Sequence, residues 1–143
     1  MKLFDTSVLI ASILVQRENH LKAKTAFSQA KLEKSACISA HSLAEVFNVL
    51  TGRVLIPPEQ ARMLIENNFN GVEIITLDAS DYVRVLEKIS NRGLSGGVIF
   101  DALIAECALK IKAQILYTLN LKHFLRLGEE VSGIAREPEV KLA

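Results

Sequence analysis

Apolar and polar positions in this chain switch between a period of two and a period of about 3.6, and the switches divide it into short strands and longer helices. Lys2-Leu3-Phe4 forms a minimal strand that runs into Asp5-Thr6-Ser7, and Val8 to Val15 follows as an apolar helix. Gln16 to Asn19 is a polar turn. The next helix, His20 to about Lys34, turns Leu21, Ala23, Ala26, Phe27 and Ala30 inward and Lys22, Lys24, Lys31 and Lys34 outward. Ser35 to Ser39 is short, small and apolar, as a strand covered on both faces is. Leu43, Val46, Phe47 and Leu50 form the stripe of a helix from Ala40 to about Gly52. Pro58 opens another helix, to about Asn70, in the first-turn position where its missing N–H is harmless.

Val72 to Leu77 is a β-branched strand closed by Asp78, which caps a helix from Ala79 to about Asn91 with Asp81 in its first turn. After the loop Arg92 to Gly97, the helix Val98 to about Lys112 is apolar on nearly every side and should be largely buried. Within it, helical spacing pairs Glu106 with Lys110 on a polar edge and turns Asp101 towards the apolar side. Gln114 to Thr118 is the last core strand. A short helix ends near Gly128, Val131 to Ile134 forms an edge strand, and a polar tail runs from Arg136 to Ala143. The order predicts an α/β sandwich around a mainly parallel sheet of about four or five strands.

A length of 143 residues fits one domain, residues 1–143, with an apolar half large enough to build a core. No apolar run approaches the ~20 residues of a bilayer span, and no signal peptide is visible, so the expectation is a soluble, cytoplasmic protein with no membrane partner. Cys37 and Cys107 lie far apart in apolar surroundings and read as small hydrophobes. The net charge of +1 gives no basic footprint, so any polyanion site has to be local.

The candidate chemistry lies in acids from separate elements. Asp5 stands where a strand hands over to a helix, at the end of a strand that borders the ligand crevice in open α/β sheets; the alternative is a helix cap. Glu45 is either a site residue or an ordinary surface glutamate. Asp101, turned inward, requires a partner, hydrogen bonds or a cation. Asn120 stands just past the last core strand, in a place equivalent to that of Asp5. Crowded carboxylates repel one another unless a cation neutralises them, and such hard oxygen ligands suit Mg²⁺ or Mn²⁺. No Ser occupies a nucleophile elbow, so a serine triad is unsupported.

Leu3-Phe4-Asp5-Thr6-Ser7, Ser42-Leu43-Ala44-Glu45-Val46, Phe100-Asp101-Ala102-Leu103-Ile104-Ala105 and Thr118-Leu119-Asn120-Leu121-Lys122-His123-Phe124 occur in that order. In these pieces the chain resembles PIN-domain proteins, and among them the small toxin ribonucleases of VapC type. The resemblance implies a PIN-like α/β/α sandwich and a Mg²⁺- or Mn²⁺-dependent endoribonuclease. Its acidic cluster would be Asp5, Glu45 and Asp101, with Asn120 at a fourth position where many members carry Asp. It also implies Ser7 and Thr118 as accessory polar residues, a homodimer, an RNA substrate and a small antitoxin partner. Lys122, His123 and Arg126 are candidates to hold the RNA backbone. Two other readings stand beside this one: a PIN-like binding module without activity, and a phosphatase using Asp5 as a nucleophile. The phosphatase chemistry wants a second Asp where Ser7 stands.

Overall fold

In a computed structural model, described over residues 1–139, five strands form one sheet in the order β3-β2-β1-β4-β5, with every neighbouring pair parallel. The strands are β1 (Lys2–Phe4), β2 (Ala36–Ser39), β3 (Glu73–Ile75), β4 (Ile115–Tyr117) and β5 (Ala135–Arg136). From β1 the chain proceeds outward through β2 to β3, then returns to β4 on the other side of β1. The switch point therefore falls between β1 and β4, and the crevice outside their carboxyl ends is where such sheets bind ligands.

Alternation within the strands sorts the core into two layers. Phe4 and Ile38 face one side, packing with Val8, Leu9, Phe27, Val46 and Leu50. These come from α1 (Thr6–Ile13), α2 (His20–Leu32) and α3 (Ala40–Gly52), and α4 (Pro58–Phe69) completes that layer through Ala61 and Phe69. Leu3, Cys37 and Leu116 face the other side, against Ile104, Cys107, Phe124 and Val131. There the covering helices are α6 (Val98–Lys110), α7 (Leu121–Leu125) and α8 (Glu129–Ser132). A further cluster joins Val85 and Ile89 of α5 (Ala79–Asn91) to Val98, Ala102 and Leu103 of α6. Phe4 is fully buried, its ring 5.0 Å from that of Phe27 and 5.2 Å from that of Tyr117, which fixes the strand end that carries Asp5.

Asp78 caps α5 as expected: its Oδ1 accepts from Asp81 N and Asp81 Oδ2 accepts from Asp78 N, both at 2.9 Å. Both cysteines are free and buried. Among the described residues no helix is long and apolar enough to cross a membrane.

Three local expectations are corrected. Glu106 does not pair with Lys110; it is buried and accepts from Arg84 Nε at 3.2 Å and Lys88 Nζ at 2.9 Å, while Lys110 Nζ donates to Asp81 at 2.9 Å. The basic stripe of α5 packs over that side of α6 and draws the glutamate inward. Asp101 is the more open acid of α6, with 22% of its side chain exposed. Val131 to Ile134 is not a strand: Glu129–Ser132 forms α8, burying Val131, and pairing begins only at Ala135. The three-residue spacing of Val131 and Ile134 is helical, and Gly128, at φ 113°, permits the turn that starts it. Of the tail beyond Arg136, residues 140–143 lie outside the described residues.

Candidate active site

Asp5 occupies the N-cap position of α1, yet its side chain makes no capping bond. The carboxylate instead accepts two hydroxyl hydrogen bonds on Oδ2, from Ser7 at 2.7 Å and Thr118 at 2.8 Å. Each hydroxyl is held in turn by a backbone amide: Leu119 N donates to Ser7 Oγ at 3.0 Å and Asn120 N to Thr118 Oγ1 at 2.9 Å. Because those lone pairs are occupied, both protons are directed at Asp5. The β1 and β4 ends are locked together around one carboxylate, with Asp5 N also donating to Tyr117 O at 2.9 Å.

Thr6 provides the link to α3. Its hydroxyl lies 2.9 Å from both Glu45 Oε1 and Ser42 Oγ. With one proton to give, Thr6 serves the carboxylate, and the Ser42 hydroxyl donates to Thr6. His41 Nε2 stands 3.6 Å from the same Glu45 oxygen. On α6, Asp101 Oδ2 lies 3.4 Å from His123 Nδ1.

Asp5, Ser7, Glu45, Asp101 and Asn120 all line one cleft of about 680 Å³ at the switch point. Its electrostatics are those of crowded acids. The Asp5 carboxyl is raised from 3.8 to about 6: burial pushes it up most, the Ser7 and Thr118 hydroxyls pull it down, and the Asp101 and Glu45 charges add to the rise. Asp101 is also raised, first by burial and then by Glu45, against the lowering effect of His123 and Arg126. Glu45 and Asp101 thus act electrostatically on groups of two other elements.

Thr118 is fully buried beneath the cleft and reaches it through its bond to Asp5. Lys122, His123 and Arg126 do not line the cleft; His123 borders it through Asp101. Arg126 lines a larger cavity of about 970 Å³ on a different face of α6, between α5 and α8. That cavity contains Glu106, already paired with Arg84 and Lys88, and the exposed Glu129 and Glu130 of α8, which share one short helix and stand beside Lys88, Arg92 and Arg126. The cleft also has residues for which the sequence suggested no role in the site: Asn48, Arg17, Glu18 and Arg53. The two arginines sit in a turn and just past a helix end, as isolated charges without a pattern, and neither makes an ion pair among the described residues.

The donors of the cleft are carboxylate, amide and hydroxyl oxygens, the chemistry that Mg²⁺ or Mn²⁺ prefers. Among the described residues no three His, Cys, Asp or Glu side chains form a ready-made cage.

Fold and cleft together define a doubly covered parallel α/β protein with a hard, acidic crevice at the switch point of its sheet. The PIN domain profile matches residues 2–130, and the chain belongs to the PIN-domain family. It is similar to Ribonuclease VapC40 of Mycobacterium tuberculosis, at 28% identity over 116 residues, which cover 78% of this chain and 81% of that protein. Solved structures share its fold, two of them as follows. One is VapBC2 from Rickettsia felis bound to a DNA fragment from their promoter (TM-score 0.72, 21% identity, covering 96% of this chain and 98% of the matched chain). The other is VapC20 of Mycobacterium tuberculosis, a sarcin-ricin loop cleaving toxin (TM-score 0.68, 17% identity, covering 81% and 87%).

Proposed function

We propose that this chain is a divalent-metal-dependent endoribonuclease, the toxin of a toxin–antitoxin pair, acting on RNA in the cleft bounded by Asp5, Glu45 and Asp101. The observation that carries the reading is the meeting of three carboxylates, from a strand end and two helices, in one crevice where burial and the other two charges hold Asp5 near pKa 6. Membership in the PIN family and similarity to a curated ribonuclease of VapC type support it.

Asp5 and Asp101 would hold the cation, Mg²⁺ or Mn²⁺, and Glu45 would hold a second ion or orient the attacking water. When bound, the cation neutralises the cluster, polarises the scissile phosphate and eases deprotonation of water. The chain's own contribution is placement. Ser7 and Thr118 fix the Asp5 carboxylate through Oδ2, and Thr6 fixes Glu45. Asn120 lends an amide oxygen and no charge, so it orients a ligand without adding to cation affinity. His123, beside Asp101, is placed to meet the RNA backbone; Lys122 and Arg126 would act further out along the strand. In-line attack by water breaks the bond to the 3′-oxygen, leaving a 3′-hydroxyl and a 5′-phosphate. A small antitoxin and a second copy of the chain are the partners of the same reading; the Rickettsia felis neighbour, a VapBC assembly, supports the first.

Incubation of the purified protein with cellular RNA in Mg²⁺, Mn²⁺ or EDTA tests the proposal. Discrete fragments in the metal lanes and none in EDTA are expected. The neutral Asn120 favours one rival, a binding module. That rival wins if RNA stays intact in every lane and Mn²⁺ titration shows no uptake.

An acidic cleft repels a polyanion, so the open arginines acquire a role. Arg17→Ala and Arg53→Ala should each weaken RNA binding across sequences and reduce the salt dependence, lowering the slope of log K against log salt by about 0.7 per lost single-strand phosphate contact. Fluorescence anisotropy at several salt concentrations measures this, and slopes equal to the native one would remove these residues from the interface.

A further inference from the structure

Phe100 immediately precedes Asp101 in the first turn of α6, and 48% of it is exposed on a helix otherwise buried on nearly every side. It belongs to none of the apolar clusters of the core. Its ring instead lies parallel to the His41 imidazole, with an interplanar angle of 3° and centroids 5.4 Å apart. His41 stands one turn before Glu45 on α3 and comes within 3.6 Å of its carboxylate. The stacked pair thus bridges the two helices that bring Glu45 and Asp101 to the cleft, next to those two lining residues although neither ring lines the cleft itself.

We propose that Phe100, backed by His41, is the stacking platform for one unpaired nucleobase next to the phosphate that is cut. The inference rests on the ribonuclease reading and goes further, to the residue that seats a base beside the cut. A base inside a duplex has both faces covered and cannot lie on the ring, whereas single-stranded RNA is commonly held by aromatic side chains. Stacking also suits this place electrostatically. Beside three carboxylates a neutral π face can anchor the nucleotide without adding charge, and it accepts any base. His41 acts as a positioning residue, holding the ring parallel while facing Glu45.

The test uses a short single-stranded RNA oligonucleotide that the protein cuts once, found from a mixed-sequence pool. Phe100→Ala should raise KM about tenfold, the lower part of the range for one stacked base, with a smaller effect on kcat. Phe100→Trp should restore the native value, with circular dichroism confirming that both variants fold. Abasic nucleotides walked through the oligonucleotide should weaken binding of the native protein at one position beside the cut. The same walk should leave Phe100→Ala unaffected at that position. A native KM in Phe100→Ala together with a flat abasic profile overturns the platform while leaving the ribonuclease intact. A change of oligomeric state in Phe100→Ala with unchanged KM assigns the ring to a protein contact and likewise overturns it. Absence of both cleavage and RNA binding by the native protein overturns the ribonuclease reading and the platform together.

Discussion

Asp101→Asn should lower the rate of RNA cleavage at least about a thousandfold, equivalent to about 4 kcal/mol of transition-state stabilisation, while the protein keeps its fold. The carboxylate is partly open to the cleft, and its near neighbour is a half-exposed His123 at 3.4 Å. Replacing it with an amide of the same shape removes a charge and little packing. Glu106, one and a half turns along the same helix, provides the contrast. It is buried under α5 with Arg84 and Lys88 on its two oxygens, so Glu106→Gln should lower the melting temperature and leave turnover of the folded fraction near native. Single-turnover cleavage and thermal melts of the two variants separate chemistry from scaffold. Native cleavage by Asp101→Asn would remove this residue from the mechanism.

Asp5→Asn should abolish cleavage and, in metal-free protein, raise stability. Burial lifts the Asp5 carboxyl from 3.8 to about 6, against the smaller pull of its two hydroxyl donors. Between those two values the folded state retains a proton that the unfolded chain has released, so stability falls as pH rises from about 4 to about 6 and stays lowered above that. A shift of about two pKa units corresponds to about 3 kcal/mol. The amide is never charged, and its oxygen still accepts a hydroxyl. The variant should therefore melt about 5–10 °C above the native protein at pH 7.5, with the difference closing towards pH 4. Added Mn²⁺ should stabilise the native protein and leave the variant unmoved. A difference in melting temperature that does not vary with pH would contradict the burial of a charged Asp5. Proton and cation compete for this carboxylate, so Mn²⁺ uptake by the metal-free protein should weaken as pH drops through about 6.

Much of this was legible in the chain. Strands and helices announced themselves because β1, β2 and β4 are buried on both faces and the helices carry periodic stripes. The parallel sheet followed from the order of the elements. Asp5 could be marked from its position after a strand, but only the structure distinguishes a cap from a site: its side chain leaves the helix N-terminus alone and takes hydroxyls from Ser7 and Thr118, which lie 2 and 113 positions away. Pairing of that kind has no local signal. The two acids of α6 were misread for a related reason. Helical spacing states which residues share a face, but not that α5 would bring Arg84 and Lys88 to Glu106. Arg17 and Arg53 carried no pattern, and the basic residues that did, Lys122 and Arg126, lie outside the cleft. The last strand was displaced because Val131 is buried by a turn of helix before pairing begins.

The most direct test of the central claim is the chemistry of the cut ends. A single-site RNA oligonucleotide is digested with Mg²⁺ or Mn²⁺ and the fragments are weighed by mass spectrometry, with Asp101→Asn run in parallel. Attack by water in the carboxylate cleft predicts a 3′-hydroxyl on one fragment, a 5′-phosphate on the other, and intact RNA with the variant. A 2′,3′-cyclic phosphate, or the same fragments from Asp101→Asn, would contradict the account.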